Sequence, residues 1–381
     1  MSMLLSEEQV MAAESARAFC TERAPVRQLR HLRDSTSSDG FDRGTWREMV
    51  ELGWAAIPWS AEVGGLDFGY RGLGVITEET GRTLVASPLQ ATVWIGGSAF
   101  HLDTNEARRR ELLPKLASGE LLMALALEES HHHQPYGSSV KARRDGRTYR
   151  LSGRKTFVVD GHVADKLIVV ARTSGVRGER DGLTLFLVDR AARGVSVQRM
   201  NLIDSRNAAE VFFEDVLVSA DDVLGELDAG ADLLDRVLDA GRIGLAAEML
   251  GSLQECFDRT MAYLRERQQF GVPIGSFQAL KHRAARLYCD VELSRSCVMS
   301  ALAAMDDPSL ANRIAPLASA AKAKVGDTFR QVALEAIQMH GGNGMTDEFD
   351  IGLFLKRAAV TDVLLGDVRF HRDRYGVLHG H

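Results

Sequence analysis

Residues 230–365 read as four helix-length segments, 230–269, 277–305, 314–340 and 352–365, parted only by short breaks that carry glycine and proline. Gly271, Pro273 and Gly275 mark the first break, Pro308 and Pro316 the second, since proline locks φ and removes an N–H that a helix needs. Helices of that length bury their apolar faces only against one another. This part of the chain is therefore predicted to form a four-helix bundle.

The remainder has other periods. Residues 5–119 place apolar side chains three and four apart, as in 10–19 and 46–52, and read as shorter helices. The stretch VGGLDFG at 63–69 is a connecting loop. Near Leu121 the period shifts toward two, and the runs 122–127, 148–159, 166–172 and 183–188 read as strands. Arg144-Asp145-Gly146 and the loop 174–182 suit hairpin connections between them. The expected class is α+β, mostly α: an N-terminal helical domain over 1–120, a middle antiparallel β domain over 121–227 and a C-terminal four-helix bundle over 228–381.

Composition narrows the function. A chain of 381 residues with 45% hydrophobic content buries a sizeable core. Its formal charge of -6 gives no global attraction for nucleic acid or an anionic membrane, so neither partner is expected. No segment reaches the roughly 18 uninterrupted apolar residues of a membrane span, and the N-terminus is acidic where a signal peptide would be basic. A cytoplasmic location is expected. Cys20, Cys256, Cys289 and Cys297 lack C-x-x-C spacing and have apolar neighbours in helical segments, which predicts buried, reduced thiols. The run His131-His132-His133 is not expected to bind metal, because adjacent loop residues do not converge on one ion without distant partners.

Two stretches carry the clearest motifs. Within 338–367, QMHGGNGMTDEFDIGLFLKRAAVTDVLLGD, the pair Gly341-Gly342 interrupts a helical pattern and would let a backbone approach a ligand closely. Within 265–278, RERQQFGVPIGSFQ, an arginine and a phenylalanine end a long helix. Together they resemble the acyl-CoA dehydrogenase family, whose R-x-x-F-G and Q-x-x-G-G segments are matched by Arg267, Phe270, Gly271 and by Gln338, Gly341, Gly342. The segments SRNAAEVFFEDVLVSADDVLGE at 205–226 and GRKTFVVDGHVAD at 153–165 are similar to the family's pattern too, and the resemblance covers nearly the whole chain.

The resemblance implies FAD as cofactor, an acyl-CoA substrate, a tetramer and electron transfer flavoprotein as acceptor. It also implies a base that removes an α-proton while hydride leaves the β-carbon for the flavin. The family's base is a glutamate before Gly-Thr, and that position here is Leu365. A minority of members carry it before an arginine corresponding to Arg242, and that position is Gly241. Neither residue accepts a proton. Asp367, the remaining carboxylate on the segment, stands where the family has a threonine and is a weak substitute.

In the family each FAD lies between two subunits, one cradling the flavin ring and the other binding the ADP half. On the ring side, the pattern T-E-P-G-A-G-S-D becomes Leu127 to Gln134, so the flavin-binding threonine and serine are replaced by Leu127 and His133. The W-I-T pattern becomes Phe157-Val158-Val159, keeping a stacking surface in Phe157 but no hydroxyl at Val159. On the ADP side Arg267, Phe270, Gln278, Gln338, Gly341 and Gly342 all persist, with Arg267 suited to a diphosphate. Arg242 and Asp239 match positions near the substrate, although Asp239 reads equally well as an exposed helix residue. The expectation is a subunit without the catalytic glutamate, lending its ADP half to a homologous partner, as in pimeloyl-CoA dehydrogenase small subunits and mixed tetramers that degrade steroid side chains. The alternatives are an active homotetramer with a substitute base and a flavin-free scaffold or binding protein.

Overall fold

The computed structural model describes residues 4–35 and 37–381; the first three residues of the expected N-terminal domain, and residue 36, lie outside them. The helices are α1 (Glu7–Arg23), α2 (Val26–Asp34), α3 (Arg43–Glu51), α4 (Gly69–Arg82), α5 (Ser98–Leu102), α6 (Glu106–Ala117), α7 (Ala231–Glu266), α8 (Gln278–Met305), α9 (Ile314–His340), α10 (Ile351–Val363) and α11 (Val368–Leu378). The chain divides into two compact units, one comprising Met1–His31, Tyr70–Val85 and Arg242–His381, the other Leu32–Gly69 and Ala86–Gly241. Among the described residues, no helix is long and apolar enough to cross a membrane.

The first unit is helical. α9 packs on α8, α10 and α11, burying Val325, Phe329 and Val332 on its inward face. α4 and α7 cross at two glycines: a Cβ on Gly81 would stand 2.0 Å from the Glu248 carbonyl oxygen, and one on Gly251 1.7 Å from that of Glu78. Side chains there would drive the helices apart. Arg357 of α10 closes the bundle interior with a buried pair to Glu248, Nη2 to Oε1 at 2.8 Å.

The second unit is built on a sheet of β1 (Met123–Ala126), β2 (Lys141–Asp145), β3 (Thr148–Val159), β4 (Lys166–Arg172), β5 (Leu183–Asp189), β6 (Val195–Asn201), β7 (Asn207–Ser219) and β8 (Val223–Leu224). The order is β6-β7-β3-β2-β4-β5-β8, with β1 also on β4. Pairing is antiparallel except that β1 and β2 both meet β4 in parallel, so the sheet is mixed where the alternating runs suggested antiparallel pairing throughout. Val140, Leu151, Val169, Phe186, Val211 and Val216 fill its core.

Candidate functional site

In the first unit, the C-terminal end of α7 meets the end of α9. Arg267 follows the last helical residue and opens a tight hairpin of β9 (Gln268–Gln269) and β10 (Val272–Pro273). The two residues of its turn, Phe270 and Gly271, have φ of +55° and +78°, the left-handed pair a type I′ turn requires. Glycine adopts this freely; phenylalanine does not. Phe270 is nonetheless 92% exposed, its ring edge-on to that of Phe277 with centroids 6.1 Å apart. The side chains of Arg267, Gln278 and Gln338 are also exposed, and none takes a hydrogen bond or ion pair among the described residues.

The glycine pair lies opposite an aromatic cluster. Gly341 ends α9 at φ +60°, and a Cβ on Gly341 or Gly342 would meet nothing within 4 Å. His340, just before it, stacks on Tyr263 with ring centroids 4.1 Å apart, and Phe349 packs edge-on against both rings. The Tyr263 hydroxyl accepts from Asn343 Nδ2 at 3.2 Å. His340 Nδ1 donates to the Ala336 carbonyl at 2.7 Å; burial lowers its pKa although this bond opposes the shift.

The turn at Leu365, the position that the resemblance equates with the family's base, is held from three helices. Leu365 has φ +58°, and its carbonyl accepts from Arg242 Nε of α7 at 3.2 Å and from His371 Nε2 of α11 at 3.1 Å. Lys322 Nζ of α9 donates to the carbonyls of Gly366 and Asp362 at 3.0 and 3.1 Å. A carbonyl only accepts, so His371 carries its proton on Nε2, while Nδ1 faces Ser319 Oγ at 3.3 Å, which takes a bond from Arg374 at 2.9 Å. Burial pushes the Lys322 ammonium down to about 7, with Arg242 adding to the shift and Asp362 and Asp367 opposing it. Asp367 is the N-cap of α11, its Oδ1 accepting the Phe370 N–H at 2.8 Å.

The second unit holds the other named positions. Leu127 is buried and its carbonyl accepts from Lys155 Nζ at 2.9 Å. Lys155, wholly buried, pairs with Glu129 at 2.8 Å, and Glu129 also accepts the N–H groups of Ser139 and Val140 at 2.9 and 3.0 Å. Burial alone would raise the Glu129 pKa; the Lys155 charge and these donors outweigh it and hold the carboxyl at about 2. Burial also takes Lys155 down to about 8 despite its partner. Phe157, at φ +49°, sits half-buried where β3 slips against β7 between Lys155 and Val158. Val159 offers no hydroxyl, and the neighbouring Thr156 turns its own toward the Met200 sulfur at 3.8 Å. His133 Nδ1 lies 2.5 Å from Glu128 Oε1, whereas His131 and His132 are exposed. The carbonyl of Gly241 accepts from Gln90 Nε2 at 2.7 Å, in the π-helical stretch Leu89–Gly97.

Several readings change. Asp239 is 3% exposed, not a solvent-facing helix position, because α7 is buried on every side over residues 237–250. Cys20 and Cys256 are buried, their thiols pushed up to about 12 chiefly by burial, but Cys289 is exposed and Cys297 half-buried, since α8 turns part of its surface outward. Tyr263, Lys322 and His371 were not singled out in the sequence. The signals were slight: Tyr263 stands one helical turn before Arg267, and Asp367 followed by a helical run is a cap signature. No group of three His, Cys, Asp or Glu among the described residues is placed to hold a metal ion.

As a receptor for FAD the two sides score differently. The ADP-side residues fit: an unspent guanidinium, two open glycines and an exposed aromatic ring. The ring-side residues do not, since neither Leu127 nor Val159 supplies the hydroxyl donor that a buried flavin edge needs.

Three family models match the chain: acyl-CoA dehydrogenase N-terminal domain over residues 6–120, middle domain over 128–216 and C-terminal domain over 228–375. Mitochondrial isovaleryl-CoA dehydrogenase of Arabidopsis thaliana is 30% identical over 97% of this chain and 91% of its own. A variant of the Tcur3481-Tcur3483 steroid ACAD is 30% identical with a TM-score of 0.87, covering 98% of each chain. Butyryl-CoA dehydrogenase from Megasphaera elsdenii is 25% identical with a TM-score of 0.90 over 100% of both.

Proposed function

Because the chain belongs to the acyl-CoA dehydrogenase family, whose members are FAD-dependent, we propose that it is the subunit of a heteromeric enzyme that lacks the catalytic base. The observation that carries this reading is the state of Asp367. Asp367, the carboxylate two residues beyond the position of the family's base, is spent capping α11, while Leu365 and Gly241 fill the two base positions with groups that accept no proton from an acyl chain. That also counts against an active homotetramer using Asp367.

FAD, when bound, supplies the hydride acceptor. What this chain contributes is positioning: Arg267 offers charge-assisted hydrogen bonds to the diphosphate, Gly341 and Gly342 offer close backbone approach, and Gln278, Gln338 and Phe270 are exposed and available to the same ligand. A homologous subunit with an intact Glu-Gly-Thr supplies base and ring contacts. The similar steroid ACAD, named for two components, supports a two-chain assembly and a fatty or steroid acyl-CoA as substrate class. Electron transfer flavoprotein is the acceptor proposed, and Arg242 with Asp239 the substrate-facing residues. The location proposed is cytoplasmic.

The test is co-expression with such a homologue, reading flavin absorbance per tetramer and its bleaching by acyl-CoA. We expect half the flavin of a homotetramer, loss of flavin with Arg267→Ala, and little turnover by this chain alone. Ordinary turnover by the chain alone, abolished by Asp367→Asn, would overturn the proposal, since asparagine keeps the cap and removes only the base.

A further inference from the structure

Where the end of α1 and the start of α2 meet α4 and α7, the first unit has a cavity of about 250 Å³ that shares no residue with the sites described above. Its lining holds the guanidinium groups of Arg17, Arg82 and Arg259 against the carboxylates of Glu79 and Glu255. Each carboxylate has a close partner: Glu79 accepts from Arg17 Nη2 at 2.9 Å and Nε at 3.0 Å, and Glu255 accepts from Arg259 Nε at 2.8 Å. Arg259 also reaches Asp350, which does not line the cavity, at 2.6 Å. Arg82 has what is left. Its side chain is 16% exposed, yet Nη1 comes only within 3.3 Å of Asp258 and 3.5 Å of Glu255, and Nε, 3.4 Å from Glu79 Oε2, makes no hydrogen bond among the described residues. A charge-assisted bond from nitrogen to a carboxylate is normally about 2.7–2.9 Å long. Beside it the Thr83 hydroxyl is buried, with the Cys20 thiol, a weak donor, for a partner.

Buried polar groups are as a rule satisfied, by protein, water or ligand, and buried charges above all. The capacity left over at this cavity belongs to donors, and most of it to a cation, so what completes it is an acceptor with negative charge. At about 250 Å³ the space lies below the range of about 300–1,000 Å³ usual for drug-sized ligands, which limits that acceptor to a few heavy atoms. We propose that the cavity binds a small oxyanion, a carboxylate or an inorganic phosphate, between the Arg82 guanidinium and the Thr83 hydroxyl, and that the anion ties α1 to α4 and α7. Such a site is independent of the subunit role proposed above.

The experiment is calorimetric titration of the purified full chain with sodium acetate and, separately, sodium phosphate, with chloride holding the ionic strength constant. At least one of the two should bind, at one site per chain, and which one binds separates a carboxylate site from a phosphate site. Arg82→Leu should weaken that binding about ten- to a hundredfold, the value of one lost charge-assisted bond, while Arg17 keeps Glu79 paired. Thr83→Val, which keeps the side chain's shape, should weaken it about two- to tenfold, and it carries the test if Arg82→Leu fails to fold. No binding of either anion, or binding that both variants leave unchanged, overturns the proposal and leaves the cavity to water. Binding lost in Arg267→Ala and kept in Arg82→Leu puts the anion at the end of α7 and overturns it as well.

Discussion

Two regions of this molecule treat polar side chains in opposite ways. In the sheet unit Lys155 and Glu129 are turned to one another and used: the ammonium meets a carbonyl, a hydroxyl and a carboxylate, and that carboxylate takes two further backbone donors. At the end of α7 Arg267, Gln278 and Gln338 are left outward with their capacity unspent. A polar group that is satisfied within its own chain holds the fold; one held in place yet unsatisfied is available to something else. Family resemblance names both regions as parts of one cofactor site, but only the second has hydrogen-bonding capacity to give.

Replacing Lys155 with methionine is the most severe test of this contrast. It leaves the Glu129 charge buried without its partner, and stability to denaturant should fall by about 3–5 kcal/mol. A loss below about 1 kcal/mol would show the knot to be slack. Next in size is a pH effect at Lys322, whose pKa in the folded chain is about 7 against 10.5 unfolded. Between those values the unfolded chain binds more protons, so stability should rise with pH, by at most about 1.4 kcal/mol per unit. Lys322→Met should flatten that slope. Glu129 acts at the other end: held at about 2 against 4.5 unfolded, its contribution is present above 4.5 and lost as pH falls toward 2. Asp367→Ala should cost about 1 kcal/mol by uncapping α11, and Asp367→Asn nearly nothing. Smallest of all, Arg267→Ala should leave unfolding free energy within about 0.5 kcal/mol while reducing nucleotide binding. A destabilisation as large as that of Lys155→Met would erase the contrast.

The bundle and the strands at 148–159 and 166–172 were legible because unbroken apolar periods bounded by glycine and proline leave few alternatives. β6, β7 and α11 were not read as strands or a helix: FFEDVLVS and VRFHRDRYGVL mix charge into the pattern, and burial in the finished fold decides what their periods cannot. The site was legible as residue types and illegible as states. Phe157, Phe270 and Leu365 are three of the four bulky apolar residues with positive φ among those described, the fourth being Leu84. Nothing in a sequence marks a left-handed leucine, since that conformation is normally announced by glycine or asparagine. The backbone at 365 holds its left-handed conformation with Arg242 and His371 donating to its carbonyl.

The hairpin tip has a consequence for the life of an unassembled copy. Phe270 stands in water at the end of a rigid two-residue turn, with Phe277 partly exposed beside it. Chaperones and quality-control proteases recognise such aromatic groups as the mark of an unfinished protein. On the subunit role proposed above, a copy synthesised in excess of its partners would carry that mark despite being fully folded, and its abundance would follow the supply of subunits that cover the tip and not its own rate of synthesis.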